Sequence, residues 1–291
     1  MADVSVVVVT WNALPYVGQC LESVRGEDVV VVDNGSKDGT VALVRERFPE
    51  VRLIEQENKG MGGGNNAGMR AADGRYFLLL NSDAWVVDDG LAQLVAFADA
   101  HPEAAVVGPK LLNTDGTLQR SARGEPTLWS LATEYLAIRK LAPHSGRLNP
   151  LYRGDFDHDR VAEVDWLSGA ALLVRREAAD AVGLFDEDFF MFSEEVDWMT
   201  RFRRAGWKVL FYPDAEVVHV GGASHGGRMY VENLRGHLRF FAKHRSLKEA
   251  ERVRRMLLWS LRARALVLRR EHEREGVRFL SSGNARTLIE R

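Results

Sequence analysis

The chain has 291 residues, of which 46% are hydrophobic and one is cysteine, and its formal net charge is −2. This length and apolar content suit a globular protein with a sizeable core, and a single cysteine excludes a framework of internal disulfide bonds. Residues 1–120 carry ten basic and 17 acidic side chains, whereas residues 121–291 carry 29 and 24. Because the N-terminal half is acidic, it is a poor nucleic-acid surface, and no nucleic-acid partner is expected.

No segment has the pattern of a signal peptide or of a membrane span. The first apolar run, Val4–Val9, follows no basic segment, and no run approaches the roughly 20 apolar residues that cross a bilayer. Cys20 lies in an apolar helical pattern, which indicates a buried thiol in a reducing compartment. These features predict a cytoplasmic protein.

Strands and helices alternate through the first third of the chain. The predicted elements, in chain order, are strand 4–10, a helix starting at 12–15, strand 29–33, helix 40–48, strand 51–55, helix 67–72 and strand 76–81. This βαβαβαβ order predicts an α/β fold, in which a parallel, right-handed, Rossmann-like sheet is flanked by helices.

The alternation loosens after the fourth strand. Further predicted elements are helix 91–100, strands 104–108 and 171–175, helix 195–204, strands 209–212 and 216–220, and an arginine-rich helical stretch at 229–274 with an unpatterned tail. Residues 113–165 carry few strand signals, and so long an irregular stretch is either functional or mobile. The predicted domain is 1–228, with halves at about 1–112 and 113–228, followed by a helical C-terminal extension at 229–291.

Polar clusters follow four consecutive predicted strands. They are Thr10-Trp11-Asn12, Asp33-Asn34-Gly35-Ser36, Asn58-Lys59-Gly60 and Asn81-Ser82-Asp83. Parallel strands bring their carboxyl ends to one sheet edge, where open α/β folds bind ligands. A carboxylate there, such as that of Asp83, can hold a divalent cation and, through it, phosphate oxygens. Each cluster alone is typical of a turn, but four at successive strand ends favour a binding site.

A glycine-rich segment, Gly60–Gly68, follows the third strand. Its composition is typical of a flexible linker, but between a strand and a helix it can also bring backbone N–H groups against a phosphate. It is not a dinucleotide fingerprint, because that motif belongs at the first strand–helix turn, and it lacks the Gly-Lys-Ser/Thr ending of a Walker loop.

The segment Phe190–Trp198 combines three carboxylates with aromatic side chains. It is either a solvated helix start, where acids are common, or the site of a general base whose pKa is raised by its surroundings. Glu195 and Asp197 are two residues apart, so one is expected to face the substrate and the other to support the fold. His219, at a predicted strand end, is either structural or a ligand of a Mn²⁺-like site.

Together these motifs resemble the inverting family 2 glycosyltransferases of GT-A fold, particularly the bacterial rhamnosyltransferase-like branch. The segments that carry the resemblance, in family order, are 8–12, 30–40, 58–68, 81–83, 168–170, 190–197 and 219–222. It implies metal-dependent, inverting transfer of a sugar from a nucleoside diphosphate sugar, either dTDP-rhamnose-like or UDP-linked. The acceptor would be a hydroxyl of a glycan, a lipid-linked molecule or a small molecule.

The resemblance also implies a role for individual residues. The implied catalytic residues are Glu195, as the base, with Glu194 and Asp197. The implied ligands of a Mg²⁺ or Mn²⁺ ion are Asp83 and His219. The residues implied to border the acceptor are Trp166, Gly169 and Ala170. The residues implied to bind the donor are Thr10, Trp11, Asn12, Asp33 (at the edge of a pyrimidine base), Asn34, Gly35, Asn58, Gly60, Met61, Gly62, Asn65, Asn66, Asn81, Ser82 and Asp83.

The chain departs from the family pattern at two positions. Glu194-Glu195 stands where many relatives have Glu-Asp, so the base reaches one methylene further. Asn81 stands in place of the first acid of the metal motif, which leaves Asp83 as its only charged ligand. We therefore expect the metal to arrive with the donor.

The C-terminal segment 248–270 has eight basic and two acidic side chains among apolar residues. Such a basic amphipathic helix either packs on the catalytic domain or a second subunit, or lies on the inner face of an anionic membrane. The apolar residues suffice for a core-facing stripe, which favours packing or a homodimer.

Two other functions are alternatives. A non-catalytic sugar-nucleotide-binding protein would keep Asp33 and Asp83 but lack a competent base. A sugar-phosphate nucleotidyltransferase would have a glycine-rich loop with Arg and Lys after the first strand, where this chain has Thr10–Ala13. The carboxylates at 194–197 and the missing loop favour the glycosyltransferase.

Overall fold

The computed structural model describes residues 3–221 and 227–290. Gly222, the last residue of the family-like segment at 219–222, lies outside these ranges. The elements of the first part are β1 Val4–Thr10, α1 Val17–Glu22, β2 Asp28–Asp33, α2 Thr40–Arg47, β3 Arg52–Glu55, α3 Gly60–Ala71, β4 Tyr76–Asn81, β5 Ala84–Val86, α4 Gly90–Ala100 and β6 Ala104–Leu112.

Shorter elements precede a group of C-terminal helices. The elements after β6 are β7 Leu118–Gln119, β8 Ala122–Arg123, α5 Leu128–Tyr135, a 3₁₀ turn Ile138–Lys140, β9 Ala162–Glu163, β10 Trp166–Leu167, β11 Ala171–Arg175, α6 Arg176–Val182, α7 Glu194–Arg204 and β12 Lys208–His219. The helices of the extension are α8 Gly227–His244, α9 Leu247–Leu268, α10 Glu271–Ser281 and α11 Gly283–Glu290.

The central sheet is mixed, with the strand order β3-β2-β1-β4-β11-β6-β12-β5. The first four strands are parallel, as the sequence predicts, and β6 is parallel to β12. β11 is antiparallel to both of its neighbours, and β5 is antiparallel to β12. Valines of β1 face two separate cores, Val6 and Val8 on one side and Val7 on the other. Burial on both faces explains why β1 is apolar throughout.

Helix α3 begins at Gly60, so the glycine-rich segment is helical and the linker alternative is wrong. A Cβ at Gly64 would lie 2.6 Å from Cγ1 of Val9, and one at Gly68 would collide with Cγ1 of Val7. These two glycines, one helical turn apart, therefore let α3 approach β1 closely. Close packing offsets the low helix propensity of glycine, about 1 kcal/mol per residue relative to alanine.

Several predicted boundaries are also wrong. The predicted strands 209–212 and 216–220 form one strand, β12, with an irregularity between Tyr212 and Glu216. The predicted irregular stretch 113–165 contains β7, β8, α5 and β9, and the tail after Arg274 is helical. These elements are short or lie against distant parts of the chain, so local periodicity does not reveal them.

The C-terminal helices pack against the α/β part of the molecule. A third core cluster joins Leu234, Leu257 and Leu261 of the extension to Leu131 and Val196. Full burial of each such side chain stabilises the fold by roughly 1.5–3 kcal/mol. The extension thus forms one body with the sheet. In the described ranges, no helix is both long enough and apolar enough to cross a bilayer.

Candidate active site

A cavity of about 580 Å³ lies between the end of β4, the start of α7 and the C-terminal helices. The predicted site residues in its lining are Met61, Asn65, Asn81, Asp83, Trp166, Gly169, Ala170, Glu194, Glu195 and His219. The predicted site residues outside its described lining are Thr10, Trp11, Asn12, Asp33, Asn34, Gly35, Asn58, Gly60, Gly62, Asn66, Ser82 and Asp197. The cavity therefore unites the expected metal, acceptor and base positions but not the expected nucleoside position.

Asp83 and His219 face each other at the sheet edge. His219 Nε2 lies 3.3 Å from Asp83 Oδ1 and 3.4 Å from Asn81 Nδ2. The pairing of β12 with β5 sets this approach, because His219 lies opposite Ala84, the residue after Asp83. Burial acts to raise the pKa of Asp83, but the hydrogen bond and charge of His219 outweigh it and lower that pKa.

Gln119, a residue that the sequence analysis does not single out, fixes the orientation of the His219 ring. Its Nε2 donates to the backbone oxygen of His219 at 3.1 Å and to Asn113 Oδ1 at 3.0 Å, so its Oε1 faces His219 Nδ1 at 2.7 Å. An amide oxygen only accepts, so Nδ1 carries a hydrogen and Nε2 is the ring nitrogen that faces Asp83. A ring nitrogen this close to a carboxylate oxygen is favourable when the two atoms share a proton or a cation.

Asp83 and His219 fit as two ligands of one divalent cation, whose remaining ligands would come from a bound molecule or from water. One carboxylate oxygen and one imidazole nitrogen suit Mn²⁺, and the oriented ring is typical of a metal-binding histidine. Among the described residues, no group of three or more His, Cys, Asp or Glu side chains is close enough to hold a metal. The described part of the chain therefore supplies too few ligands to enclose an ion, in keeping with the replacement of an acid by Asn81.

Asp33 serves the loop after β2. Its Oδ1 accepts a hydrogen bond from Thr10 Oγ1 at 2.9 Å, and its Oδ2 accepts from the backbone N–H groups of Gly35 and Ser36 at 3.0 and 2.8 Å. Thr10 and Asp33 are both buried. Asp33 thus fixes the strand-end loop, and its expected role at the edge of a pyrimidine base stays a prediction.

The neighbouring strand ends form a polar shelf next to the cavity. Asn34 Nδ2 donates to the backbone oxygen of Gly60 at 3.0 Å, and Asn12 Oδ1 accepts from Lys37 N at 2.8 Å. Asn58 Oδ1 accepts from Gly60 N at 3.0 Å, at the start of α3. Trp11 is 59% exposed, so its ring is free to contact a ligand.

The two asparagines of α3 have different surroundings. Asn65 lines the cavity and donates to the backbone oxygen of Met61 at 3.1 Å. Asn66 is buried. Its Oδ1 accepts a hydrogen bond from the backbone N–H of Phe185, and its Nδ2 donates to the backbone oxygen of Phe185 and to the carboxylate of Glu187. Asn66 therefore joins α3 to the segment before α7, and its expected donor-binding role stays a prediction.

Helix α7 begins directly after a strained turn. Phe192 and Ser193 both have φ of +68°, in the left-handed region that costs non-glycine residues of order 1–3 kcal/mol. This turn presents Glu194 and Glu195 to the cavity. The Oε2 atom of each is buried and has no hydrogen-bond partner in the described part of the chain.

The surroundings of Glu194 and Glu195 raise the pKa of both carboxyl groups. Burial raises the pKa of Glu195 to about 7, although the backbone N–H groups at the helix start and the Arg123 guanidinium act against it. Burial, followed by the charge of Glu195, raises the pKa of Glu194 well above its ordinary value. A carboxyl group that titrates near neutral pH suits a general base.

Asp197 lies on the other side of α7 and is fully buried. Its Oδ1 is 2.7 Å from both His244 Nε2 and Lys243 Nζ, and its Oδ2 accepts from Arg201 Nε at 2.9 Å. Burial would raise the pKa of Asp197, but these partners lower it to about 2. The carboxylate of Asp197 therefore ties α7 to α8 outside the described lining of the cavity, and its expected catalytic role stays a prediction.

The acceptor side of the cavity contains groups that sequence reasoning missed. Gly169 faces Glu195, since a Cβ at this glycine would lie 4.0 Å from the Cβ of Glu195. Tyr230, Asn233 and His237 of α8 also line the cavity. Their i, i+3, i+7 spacing puts them on one helix face, which was the available sequence signal.

Comparison with known proteins identifies the family. A family model described as "Glycosyl transferase family 2" matches residues 5–183. The chain is 35% identical over 240 residues to the N-acetylglucosaminyl-diphospho-decaprenol L-rhamnosyltransferase of Mycobacterium tuberculosis, covering 75% of this chain and 76% of the relative. It is 38% identical over 122 residues to the succinoglycan biosynthesis protein ExoO of Rhizobium meliloti, covering 39% and 35%. The chain belongs to glycosyltransferase family 2 and is a glycosyltransferase, as its motifs predicted.

Solved structures agree on the fold. The mannosyltransferase PcManGT from Pyrobaculum calidifontis, in complex with GDP-Man and Mn²⁺, has a TM-score of 0.56 at 16% identity, over 99% of this chain and 86% of that one. GalNAc-T7 with UDP, GalNAc and Mn²⁺ has a TM-score of 0.57 at 16% identity, over 84% of this chain and 50% of that one. At 16% sequence identity, structural similarity shows the fold alone. It confirms the predicted GT-A-type architecture.

Proposed function

We propose that the protein transfers a sugar from a nucleoside diphosphate sugar to an acceptor hydroxyl, with inversion at the anomeric carbon. The observation that carries the proposal is the buried Oε2 atom of Glu195, which has no hydrogen-bond partner among the described residues and lies in the same cavity as Asp83 and His219. The donor is a dTDP-rhamnose-like or UDP-linked sugar, in view of the similarity to a mycobacterial rhamnosyltransferase. The acceptor class is a glycan, a lipid-linked molecule or a small molecule.

In the proposed reaction, Glu195 Oε2 accepts the proton of the acceptor hydroxyl as that oxygen attacks the anomeric carbon. The bond from this carbon to the diphosphate oxygen breaks on the opposite face, and the electron pair leaves with the nucleoside diphosphate. Asp83 and His219 are the protein groups that would hold a Mg²⁺ or Mn²⁺ ion. When bound, such an ion supplies charge neutralisation for the diphosphate.

The nucleoside is proposed to lie on the polar shelf formed by the loops after β1 and β2. Trp11 supplies an exposed ring there, and Asn12 and Gly35 border it. The diphosphate then points toward Asn65 and Asp83 in the cavity. In this arrangement only the sugar and the diphosphate are enclosed by the cavity. This explains why Asp33, on the nucleoside side, is not part of the cavity lining.

The test is a panel of nucleotide sugars, with release of nucleoside diphosphate and product anomer as readouts. We expect slow hydrolysis of one donor without acceptor, faster turnover with acceptor, and loss of both on removal of Mg²⁺ and Mn²⁺. Asp83→Asn should weaken Mn²⁺-dependent binding of UDP or dTDP by about tenfold or more in calorimetry, with little effect on metal-free binding. The exposed Asp115→Asn is the matched control.

The outcomes separate the alternatives. Nucleotide-sugar binding without release of nucleoside diphosphate would indicate a non-catalytic binding protein. Release of inorganic pyrophosphate from a nucleoside triphosphate and a sugar phosphate would indicate a nucleotidyltransferase. Either result would contradict the proposal.

We further propose peripheral contact with the inner face of a membrane. Trp259, Leu266 and Val267 of α9 are 68%, 80% and 79% exposed, although other apolar residues of this helix are buried. Arg262 lies over the ring of Trp259, and Arg269 and Arg270 follow at the helix end, so the surface combines apolar and basic groups. An anionic lipid surface complements this combination, and a lipid-linked acceptor would be presented there.

A further inference from the structure

A guanidinium group without an ionic partner lies in the cavity wall. Arg123, at the end of β8, stacks on Tyr152 at 4.0 Å from the ring centroid and lies 5.8 Å from the ring centroid of Trp166. Its Nε is buried without a hydrogen-bond partner, and no carboxylate of the described residues lies within ion-pair distance of it. Burial lowers the pKa of Arg123, against the effect of Tyr152 and Glu134. The charge is still present, since arginine stays protonated in proteins.

The nearby charged groups already have partners. Arg139 stacks on Tyr152 at 4.6 Å and pairs with Glu134, so that carboxylate is engaged. Arg264, another cation of the cavity wall, pairs with Glu273 at 2.8 Å. Arg123 differs from both because no carboxylate of the described residues lies within ion-pair distance of it, and the charges of Glu134 and Glu195 act on it only from further away. A buried charge of this kind is costly unless a ligand completes its surroundings.

The unsatisfied groups of the cavity are of two kinds. Arg123 Nε and Tyr230 Oη are buried donors without a partner, whereas Oε2 of Glu194 and Oε2 of Glu195 are acceptors without one. A ligand that satisfies both must carry a hydroxyl for the glutamates and an anionic group for the arginine. Phosphate fits better than carboxylate, because its additional oxygen can also accept from Tyr230.

We propose that Arg123 binds a phosphate group of the acceptor, so that the acceptor is a sugar phosphate or a diphosphate ester whose hydroxyl reaches Glu195. This inference rests on the proposed transfer reaction. The donor diphosphate has its own position at Asp83 and His219, whereas Arg123 belongs to the strand pair β8–β10 that carries Trp166. Arg123 is therefore a specificity-determining residue for the acceptor.

The test compares three acceptors that share one sugar. N-acetylglucosamine is offered as its neutral octyl glycoside, as its 1-phosphate and as its octyl diphosphate. We expect kcat/KM to be about 10- to 100-fold higher for a phosphorylated acceptor than for the octyl glycoside, the range of a charge-assisted hydrogen bond. Preference for the diphosphate alone would identify a diphosphate ester, and equal use of the 1-phosphate would identify a sugar phosphate.

Arg123→Met should abolish this preference, and Arg123→Lys should retain part of it. Arg139→Met is the matched control, because it removes the other guanidinium from Tyr152 and should keep the preference. Equal losses with all three acceptors would overturn the proposal, since they would mean that Arg123 acts only on Glu195. A preference unchanged in Arg123→Met would also overturn it.

A binding measurement keeps this test separate from the proposed function. Calorimetry of the octyl diphosphate, with UDP or dTDP present, should show at least about tenfold weaker binding to Arg123→Met than to the unaltered protein. If no acceptor yields product but Arg123→Met still binds the octyl diphosphate more weakly, the proposed transfer reaction is contradicted and the phosphate site is supported. Equal binding to both proteins would contradict the site.

Discussion

Three carboxylates at the start of α7 lie in two different environments within four residues. Glu194 and Glu195 both line the cavity, the pKa of Glu194 being raised further by the charge of Glu195, and Asp197 is held by cations of α7 and α8. The sequence predicts that Glu195 and Asp197 point in different directions, because a two-residue separation puts them on different helix faces. It could not predict which of them is free, because the partners Lys243 and His244 are more than 40 residues away.

We predict that the rate of sugar transfer rises with pH through about 7. Glu195 accepts a proton only as the carboxylate, and its pKa is raised to about 7, so the active fraction falls tenfold per pH unit below that value. The measurement is kcat/KM between pH 5 and 9 at saturating metal. A rate that is flat from pH 5 to 7 would contradict the assignment.

Asp197→Asn should lower the free energy of unfolding by roughly 1–3 kcal/mol, because the partly buried Arg201 and Lys243 lose the anion that they pair with. The pKa of Asp197 is lowered from 3.8 to about 2, so its contribution is present above pH 4 and is lost as the pH falls through 2. Urea unfolding at pH 7 and pH 2 measures both effects. Asp188→Asn, at a side chain 77% exposed, should change stability by less than about 0.5 kcal/mol.

At the scale of elements, the turn before α7 is held between α3 and α8. Met61 N donates to Phe190 O at 2.9 Å, and Gly60 leaves no space for a Cβ against the same peptide. On the other side, a Cβ at Gly236 would lie 2.7 Å from both Phe192 O and Ser193 Oγ. Packing on both sides is what maintains the strained backbone that presents the glutamates.

Gly236→Ala should therefore lower kcat by tenfold or more while the affinity for nucleoside diphosphate stays within about twofold. Alanine is the better helix former by about 1 kcal/mol, so a loss would arise from the displaced turn and not from the helix. Gly283→Ala is the control, because a Cβ there meets nothing within 4 Å. Unchanged kcat in Gly236→Ala would show that the turn tolerates displacement.

The elements also differ in how far the sequence predicted them. The parallel strands β1 to β4 and their polar ends follow from local patterns, since β-branched runs such as Val4–Thr10 and turn residues are read directly. Helix α3 was misread because five glycines usually indicate a loop, and contacts such as those of Gly64 with Val9 and of Gly68 with Val7 are not visible in the local pattern. Arg123 escaped notice because its β8 strand has two residues.

At the scale of the whole molecule, the C-terminal extension completes the cavity. Tyr230, His237 and Arg264 line it from α8 and α9, and the same helices bury a cluster against α5. The sequence favoured packing for this segment, and its buried leucines pack in this way. Packing does not explain why Trp259, Leu266 and Val267, in the C-terminal half of α9, are exposed to solvent.

The triple variant Trp259→Ser, Leu266→Ser, Val267→Ser should bind vesicles of phosphatidylglycerol and phosphatidylcholine at least about tenfold more weakly than the unaltered protein. Its transfer to a water-soluble acceptor should stay within about twofold. Val161→Ser, at a side chain 45% exposed on another part of the surface, is the control. The membrane proposal would be contradicted if the unaltered protein did not bind vesicles. If it also sedimented as a dimer and the triple variant as a monomer, this surface would contact a second subunit instead.

The most direct test of the account is Glu195→Gln, measured by sugar transfer and by calorimetric binding of nucleoside diphosphate with Mn²⁺. The amide keeps the size of the side chain but cannot accept the hydroxyl proton, so we expect kcat to fall by at least about 100-fold. The affinity for the nucleoside diphosphate should stay within about twofold. Undiminished turnover in this variant would contradict the role of Glu195 as the base.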